Sequence, residues 1–233
     1  YRYCYFSLYH SSNNYGKIQM KFTSISSELN DILMPYTEWF FQQTDLNTFP
    51  YDTKRLRNHT VESACSETYL QEIVAKDGQH EGYPECAFCY DLSQALDAPA
   101  AHKIKQRELN ETLIRFLGAR NVAVHSFYPT NGFMGWHTNW NAHGYNILLT
   151  YNKDGQGFFR YRDPLTHEVV TLQDPIGWSC KVGYFGRRSE IDKVIYHSCG
   201  AYSPRLTLGY VVPHEDIWRS MVEDISGEDA SEF

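Results

Sequence analysis

The sequence predicts an α+β protein in which a jelly roll, a cupin-like double-stranded β-helix, is supported by helices from the N-terminal half. Before residue 118, apolar residues recur at helical spacing, whereas after it short β-rich segments alternate with turn residues. Strands that follow a run of helices favour packed antiparallel sheets with the helices on the outside. We therefore expect one domain over 1–233, with a mainly helical part (1–118), a jelly-roll core (119–215) and an acidic C-terminal tail (216–233).

Three helices are expected in the N-terminal half. The first starts at Ser26 or Ser27, which suit an N-cap, and Pro35 is expected to kink or divide it. The second covers 61–76, and the third follows an N-cap at Asp97. The apolar side of the third helix is expected to consist of Ile104, Leu109, Leu113, Phe116 and Leu117.

Seven short strands are expected in the C-terminal half. They are rich in β-branched and aromatic residues, and turn residues such as those at 152–155 divide them. The expected strands cover 121–128, 145–151, 157–162, 168–172, 177–185, 193–197 and 205–212.

The composition argues against several classes of protein. With 42% hydrophobic and 15% aromatic residues, the chain of 233 residues can bury a full core. Its formal net charge of −7 argues against a nucleic-acid partner, because neutralising phosphates requires clustered Lys and Arg. No apolar run reaches the roughly 20 residues of a membrane-spanning helix, and no signal peptide is recognisable. We therefore expect no membrane partner and a cytoplasmic location.

The six cysteines are expected to be reduced thiols. Cys86 and Cys89 form a single CxxC motif without a second pair at the spacing of a zinc ribbon. A structural metal or a disulfide at this motif is the alternative. Cys180 and Cys199 fall in strand-like segments, where cysteine is usually a small core residue.

The strongest functional signal is the sequence Gly-Trp-His-Thr-Asn-Trp-Asn at 135–141. Alternate side chains of an extended strand share a face, so His137 and Asn139 are expected to point at the same spot. A second histidine, His197, ends another expected strand, and Arg205 begins the last one. We expect these groups, although distant along the chain, to meet at one mouth of the jelly roll.

This combination resembles the iron(II)/2-oxoglutarate-dependent oxygenases, whose motif is His-x-Asp/Glu, a distant His and an Arg-x-Ser/Thr strand. The resemblance implies that His137, Asn139 and His197 bind iron(II) and form the catalytic centre. It also implies that Arg205 and Thr207 hold the distal carboxylate of the co-substrate 2-oxoglutarate. The implied reaction consumes molecular oxygen, converts 2-oxoglutarate to succinate and hydroxylates a C–H bond of a protein side chain or a small molecule.

The same resemblance assigns two further residues to the co-substrate pocket. Tyr128 and Pro129 precede a glycine-rich turn and then the Gly-Trp-His sequence, as in the family, and Tyr128 would line the pocket. Packing of this tyrosine on the core is the alternative. Asn146, in the strand after the metal loop, is a weaker candidate for a hydrogen bond to 2-oxoglutarate.

Asn139 departs from the family pattern, because it stands where a carboxylate is expected. A carboxamide oxygen can coordinate iron, but it carries no charge, so the affinity for iron should be lower. Three interpretations remain open. Asn139 is a weak ligand of a working enzyme; or it lies beside a two-histidine site completed by water, chloride, His143, Asp154 or Asp163; or the fold has lost the chemistry.

Two other functions compete with the oxygenase. One is a catalytically inactive jelly-roll binding module, a pseudoenzyme, and Asn139 favours it. The other is a different cupin-like metal enzyme, such as an isomerase. Arg205 and Thr207 argue against the isomerase, since that reaction needs no grip on a dicarboxylate.

Overall fold

The computed structural model describes most of the chain. The described residues are 20–43, 46, 49, 56–76, 82–93, 98–139 and 142–227. The expected helix cap at Asp97 and the last part of the expected tail, 228–233, lie outside them.

Eleven strands of the described residues form two antiparallel sheets. The strands are β1 (Lys21–Thr23), β2 (Ala87–Phe88), β3 (Tyr90–Asp91), β4 (Asn121–Tyr128), β5 (Gly132–His137), β6 (Gly144–Asn152), β7 (Gly157–Arg162), β8 (Val169–Gln173), β9 (Gly177–Phe185), β10 (His197–Ala201) and β11 (Arg205–Val212). The six-stranded sheet has the order β1-β9-β6-β11-β4-β3, and the five-stranded sheet has the order β2-β5-β10-β7-β8. From β4 to β11 the chain passes back and forth between the sheets, an arrangement consistent with the jelly roll predicted from the sequence.

Most of the expected strands are found at or near the expected bounds. Four of them, β4, β7, β9 and β11, begin and end where the sequence predicts. The strand expected over 193–197 is wrong, because β10 starts only at His197 and continues through Ser-Cys-Gly-Ala. Small residues are required here: a Cβ on Gly200 would lie 2.4 Å from Val61 Cγ1 and 2.6 Å from Phe158 Cζ. Residues 191–193 instead form a 3-10 turn, so the local β-propensity of 193–196 did not decide their structure.

The helices differ from the sequence prediction in three respects. Helix α1 (Ser27–Phe41) passes through Pro35 as one helix, and Ser26 caps it by accepting a hydrogen bond from Leu29 N at 3.3 Å. The expected second helix is two helices, α2 (Val61–Ala64) and α3 (Glu67–Ala75), because Ser66 caps a new N-terminus. In α4 (Ala100–Phe116), Ile104 is 55% exposed and does not belong to the buried side.

The C-terminal segment is partly helical rather than a simple acidic tail. Helix α5 (Glu215–Ser226) buries Trp218, Val222 and Ile225 on its apolar side. The indole Nε1 of Trp218 donates to the carbonyl of Asn146 at 3.0 Å, which joins α5 to β6. No helix among the described residues is long and apolar enough to cross a membrane.

The six-stranded sheet has two contrasting faces. One face packs against α1, α4 and α5 and includes Leu206, Leu208, Tyr210 and Val212 of β11; we call it the helix-packed face. The opposite side, which we call the inner face, carries Arg205, Thr207 and Gly209 of the same strand and looks toward the five-stranded sheet. Helices α2 and α3 cover the far side of the five-stranded sheet.

The five described cysteines are buried, and none forms a disulfide with another described residue. Cys86 packs with α2 and α3 outside the five-stranded sheet, whereas Cys89 packs between the sheets. Side chains on opposite faces of a sheet cannot share a metal ion or approach to disulfide distance. The alternative of a metal or disulfide at the CxxC motif is therefore not supported.

Candidate active site

His137 and His197 are neighbours in the five-stranded sheet. They pair across β5 and β10, and their ring centroids are 4.1 Å apart. Between His137 and Met134, strand β5 contains one residue more than the matching part of β10. This β-bulge turns His137 to the side on which His197 lies, as bulges near functional sites commonly do.

Both imidazoles are held by carbonyl groups of their own strands. His137 Nδ1 is 2.8 Å from the carbonyl oxygen of Gly135, and His197 Nδ1 is 3.2 Å from that of Ile195. Because a carbonyl can only accept, each Nδ1 carries the proton and each Nε2 presents its lone pair. Metal-binding histidines are generally oriented in this manner.

Burial keeps the two histidines neutral. It lowers the pKa of His137 to about 4 and lowers the pKa of His197 well below its ordinary value, to which the neighbouring His137 contributes. A neutral imidazole is the form that binds a metal ion. Both imidazoles are therefore already in the neutral form that metal binding requires.

The histidine pair lies between the two sheets. Phe159 of β7 stacks on the His197 ring at 5.6 Å, and Phe185 of β9 contacts it edge-on at 5.0 Å. Phe185 belongs to the six-stranded sheet, so the histidines look across the interior toward the inner face. Apolar rings beside the pair would limit the access of water.

The third ligand is the weakest part of the site. Asn139 is half-buried just after β5, and its backbone carbonyl accepts from Ala142 N at 2.7 Å. Among the described residues, no three His, Cys, Asp or Glu side chains gather in a group that could hold a metal ion. Asp163 instead closes a turn by accepting from Leu165 N and Thr166 N at 2.8 and 2.9 Å.

Neither Asp163 nor Asp154 therefore completes the site. Asp154 is exposed in the turn after β6, at the end of the strand opposite to the histidines. For an iron(II) ion, the residues present fit two of the three usual protein ligands. The third position would fall to the uncharged Asn139 or to solvent.

Arg205 is buried on the inner face and is already part of an ion pair. Its Nε donates to Asp174 Oδ2 at 2.8 Å, and its Nη1 donates to the Thr207 hydroxyl at 2.7 Å. Lys181, from β9, donates to the other carboxylate oxygen of Asp174 at 2.7 Å. The Arg205 and Lys181 side chains are 1% and 0% exposed, so this is a fully buried cluster with two cations and one anion.

Asp174 and Lys181 were not expected from the sequence. Lys181 occupies a strand in which the other face is apolar, so simple alternation would place it in solvent. One sequence feature could have indicated a buried Lys181. In β6, β9 and β11 alike, polar and apolar residues alternate, so each strand has one polar and one apolar side. Three such strands in one sheet indicate a polar interior when the apolar side is covered by helices.

Tyr128 and Asn146 both lie on the inner face. Tyr128 pairs with Arg205 across β4 and β11, and the guanidinium lies 5.1 Å from the centre of its ring. This arrangement is a buried cation–π contact. Asn146 is 1% exposed, and its Nδ2 donates to the Gly144 carbonyl at 2.8 Å.

A row of hydroxyl side chains crosses the inner face between the strand positions of Arg205 and Lys181. Ser126, Thr207, Thr150 and Ser179 are consecutive partners across β4, β11, β6 and β9. The Thr150 hydroxyl is buried and has no hydrogen-bond partner among the described residues, and neither has the Nδ2 of Asn152, the strand partner of Arg205. Phe185, which contacts His197, follows Lys181 by four residues on β9, or roughly 13 Å along the strand.

No family model matches this chain, and no curated protein sequence matches it either. Among solved structures, it is similar to the crystal structure of a prolyl-4-hydroxylase from Pseudomonas putida. The identity is 11%, the TM-score is 0.36, and the match covers 83% of this chain and 91% of that one.

Proposed function

We propose that this protein is an iron(II)- and 2-oxoglutarate-dependent oxygenase built on a double-stranded β-helix. It would hydroxylate a C–H bond of a protein side chain or a small molecule. The observation that carries the proposal is the pair His137 and His197, which present two neutral Nε2 atoms to an interior that also contains Arg205. Bound iron(II), with 2-oxoglutarate and oxygen, would supply the oxidation, and 2-oxoglutarate would leave as succinate and carbon dioxide.

The chain itself would bind, orient and shield the reactants. His137 and His197 would hold the metal from one sheet, and Asn139 or solvent would complete its ligands. Phe159 and Phe185 would keep bulk water away from this end of the interior. Because both imidazoles are fixed by backbone carbonyls, little reorganisation would accompany metal binding.

Arg205 would receive the distal carboxylate of 2-oxoglutarate. Asp174 engages its Nε edge, and Nη2 donates to none of the described residues. The hydroxyl of Thr207 and the ring of Tyr128 fix the guanidinium in place. Tyr128 would form one wall of the co-substrate pocket, and Asn146 would line it nearer to the histidines.

The direct test is metal and co-substrate binding under anaerobic conditions, followed by measurement of succinate after oxygen is admitted. We expect iron(II) and 2-oxoglutarate together to give a visible charge-transfer band and then succinate. His197→Ala should abolish metal binding, whereas Arg205→Ala should weaken 2-oxoglutarate and spare the metal. Asn139→Asp should tighten iron binding if the side chain is a ligand, and an unchanged iron affinity would place it elsewhere.

A second candidate function is that of a binding module without turnover. It is favoured by the lack of a third His, Cys, Asp or Glu ligand among the described residues. The two functions differ in one measurement: the module would bind 2-oxo acids but release no succinate in the presence of iron(II) and oxygen. If neither binding nor turnover is found, the oxygenase proposal is wrong.

A further inference from the structure

The buried cluster around Asp174 has an unbalanced charge. With Arg205 and Lys181 protonated and Asp174 ionised, the three groups carry a net charge of +1 in an interior without solvent exposure. An isolated buried charge is costly unless it is paired. One further negative charge would therefore balance the charge of the cluster.

Two buried polar groups near the cluster have no hydrogen-bond partner among the described residues. The Thr150 hydroxyl belongs to the residue paired with Thr207, and Asn152 is in register with Arg205. A Cβ on Gly157 would lie 2.5 Å from Asn152 Nδ2 and 2.6 Å from Asp174 Oδ2, so these two groups approach the same point. Buried polar atoms are nearly always satisfied, so an unpartnered pair beside a net charge points to a missing ligand.

We propose that Asp174 is the specificity-determining residue of this site: it cancels one of two buried cations, so that the site takes a ligand arm with a single negative charge. The inference rests on the proposed function, in which that arm is the distal carboxylate of a 2-oxo acid. Thr150 and Asn152 would donate the additional hydrogen bonds to it. Without Asp174, an arm with two charges would be favoured.

Asp174 also keeps both cations in position. Burial by itself would raise the pKa of Asp174, but Arg205 and Lys181 outweigh burial and hold this pKa below its ordinary value. Burial lowers the pKa of Lys181, and the ion pair with Asp174 opposes that change. The carboxylate is therefore charged at neutral pH and fixes Nε of Arg205 and the Lys181 ammonium.

The test compares three 2-oxo acids that differ only in the distal group: 2-oxoglutarate, 2-oxopentanoate and 2-oxo-4-phosphonobutanoate. Binding is measured by calorimetry on metal-free protein at mildly alkaline pH, where the phosphonate is doubly ionised. Wild type should prefer the carboxylate. Asp174→Asn should shift the preference toward the phosphonate by about a hundredfold or more, as expected for one charge a few ångströms away at the effective dielectric constant of a protein interior.

A second variant changes the charge in the opposite direction. Asn152 Oδ1 accepts from Asp154 N, Gln156 N and the Ser203 hydroxyl, and an aspartate would preserve these bonds. Asn152→Asp would neutralise the site, so the affinity for 2-oxoglutarate should fall about tenfold or more. The affinity for 2-oxopentanoate should stay the same. This variant decides the question even if Asp174→Asn does not fold.

The matched control is Asp154→Asn, which removes the same charge from an exposed turn near the cluster. It should change no preference. The inference is overturned if Asp174→Asn and Asn152→Asp leave the preferences of wild type unchanged, or if no charged arm binds. Failure of the oxygenase proposal looks different: the preferences would follow the cluster, but Mn(II) would not strengthen 2-oxoglutarate binding and iron(II) would yield no succinate.

Discussion

The two faces of the six-stranded sheet are built from the same strands but differ in composition. On β11, the helix-packed face consists of Leu206, Leu208, Tyr210 and Val212, whereas the inner face begins with Arg205 and Thr207. Both faces are almost completely buried. A core needs only apolar side chains, so the buried cations and hydroxyl groups on one side fit the ligand site proposed above.

The two faces should therefore contribute differently, the helix-packed face to stability and the inner face to ligand binding. Apolar burial on the helix-packed face stabilises the fold directly. On the inner face, Arg205 and Lys181 share Asp174 as their ion-pair partner, and apolar replacements of similar volume are often equally stable. Substitutions should therefore affect stability on the helix-packed face and binding on the inner face, with one exception at Asp174.

The largest loss of stability is expected for Asp174→Ala. It leaves Arg205 and Lys181 buried without their shared anion, which should cost about 3–5 kcal/mol in the free energy of unfolding. Urea denaturation measures this loss. The matched variant replaces all three residues by apolar ones, Lys181→Met, Asp174→Leu and Arg205→Met, and should be much more stable than Asp174→Ala. A cost below roughly 1 kcal/mol for Asp174→Ala would mean that the cluster is not buried as described.

Leu208→Ala tests the helix-packed face. Leu208 is fully buried between the sheet and the helices, so the substitution should cost about 3 kcal/mol from lost contacts and the resulting cavity. The affinity for 2-oxoglutarate, measured by calorimetry well below the unfolding temperature, should be unchanged. A binding loss as large as that of Arg205→Ala would show that the two faces are not independent.

The helix-packed face also predicts a dependence of stability on pH. Burial lowers the pKa of His125 to about 3, with a smaller contribution from His102. His125 Nε2 is 2.9 Å from the Tyr36 hydroxyl oxygen, under α1. Below pH 6.5 the unfolded chain binds a proton that the native protein does not, so stability falls as the pH decreases toward 3.

Between pH 7 and pH 5, His125 should account for about 2 kcal/mol of this loss. The measurement is the urea midpoint at several pH values for wild type and for His125→Gln. The other buried histidines remain in the variant, so the difference between the two profiles isolates His125. Parallel profiles would contradict the assignment.

Much of the sheet was predictable because alternation is a local property of the sequence. In β11, an apolar residue at every second position predicts both the strand and the face that packs against helices. The same pattern predicts β6 and β9. The start of β10 was not predictable, because it is set by pairing with β5 and β7 from distant parts of the chain.

The candidate site was predictable only in part. The sequence pattern placed His137 and His197 together, and the structure brings them into register. The sequence pattern did not indicate the bulge that orients His137. It also did not indicate Asp174, which follows β8 in the chain and contacts Lys181 and Arg205 on other strands. Charge pairs between distant segments leave no periodic signal, so such partners become visible only in the fold.

The smallest expected effect on stability distinguishes the two faces most sharply. Thr150→Val exchanges a buried hydroxyl without a partner for a methyl group of the same shape. Because no hydrogen bond is lost, stability should stay within about 1 kcal/mol of wild type or increase. If Thr150 donates to a bound carboxylate, the affinity for 2-oxoglutarate should fall by about threefold to tenfold, and Thr150→Ser should retain it. Equal affinity in both variants would place the ligand elsewhere and make the inner face a structural core with buried charges.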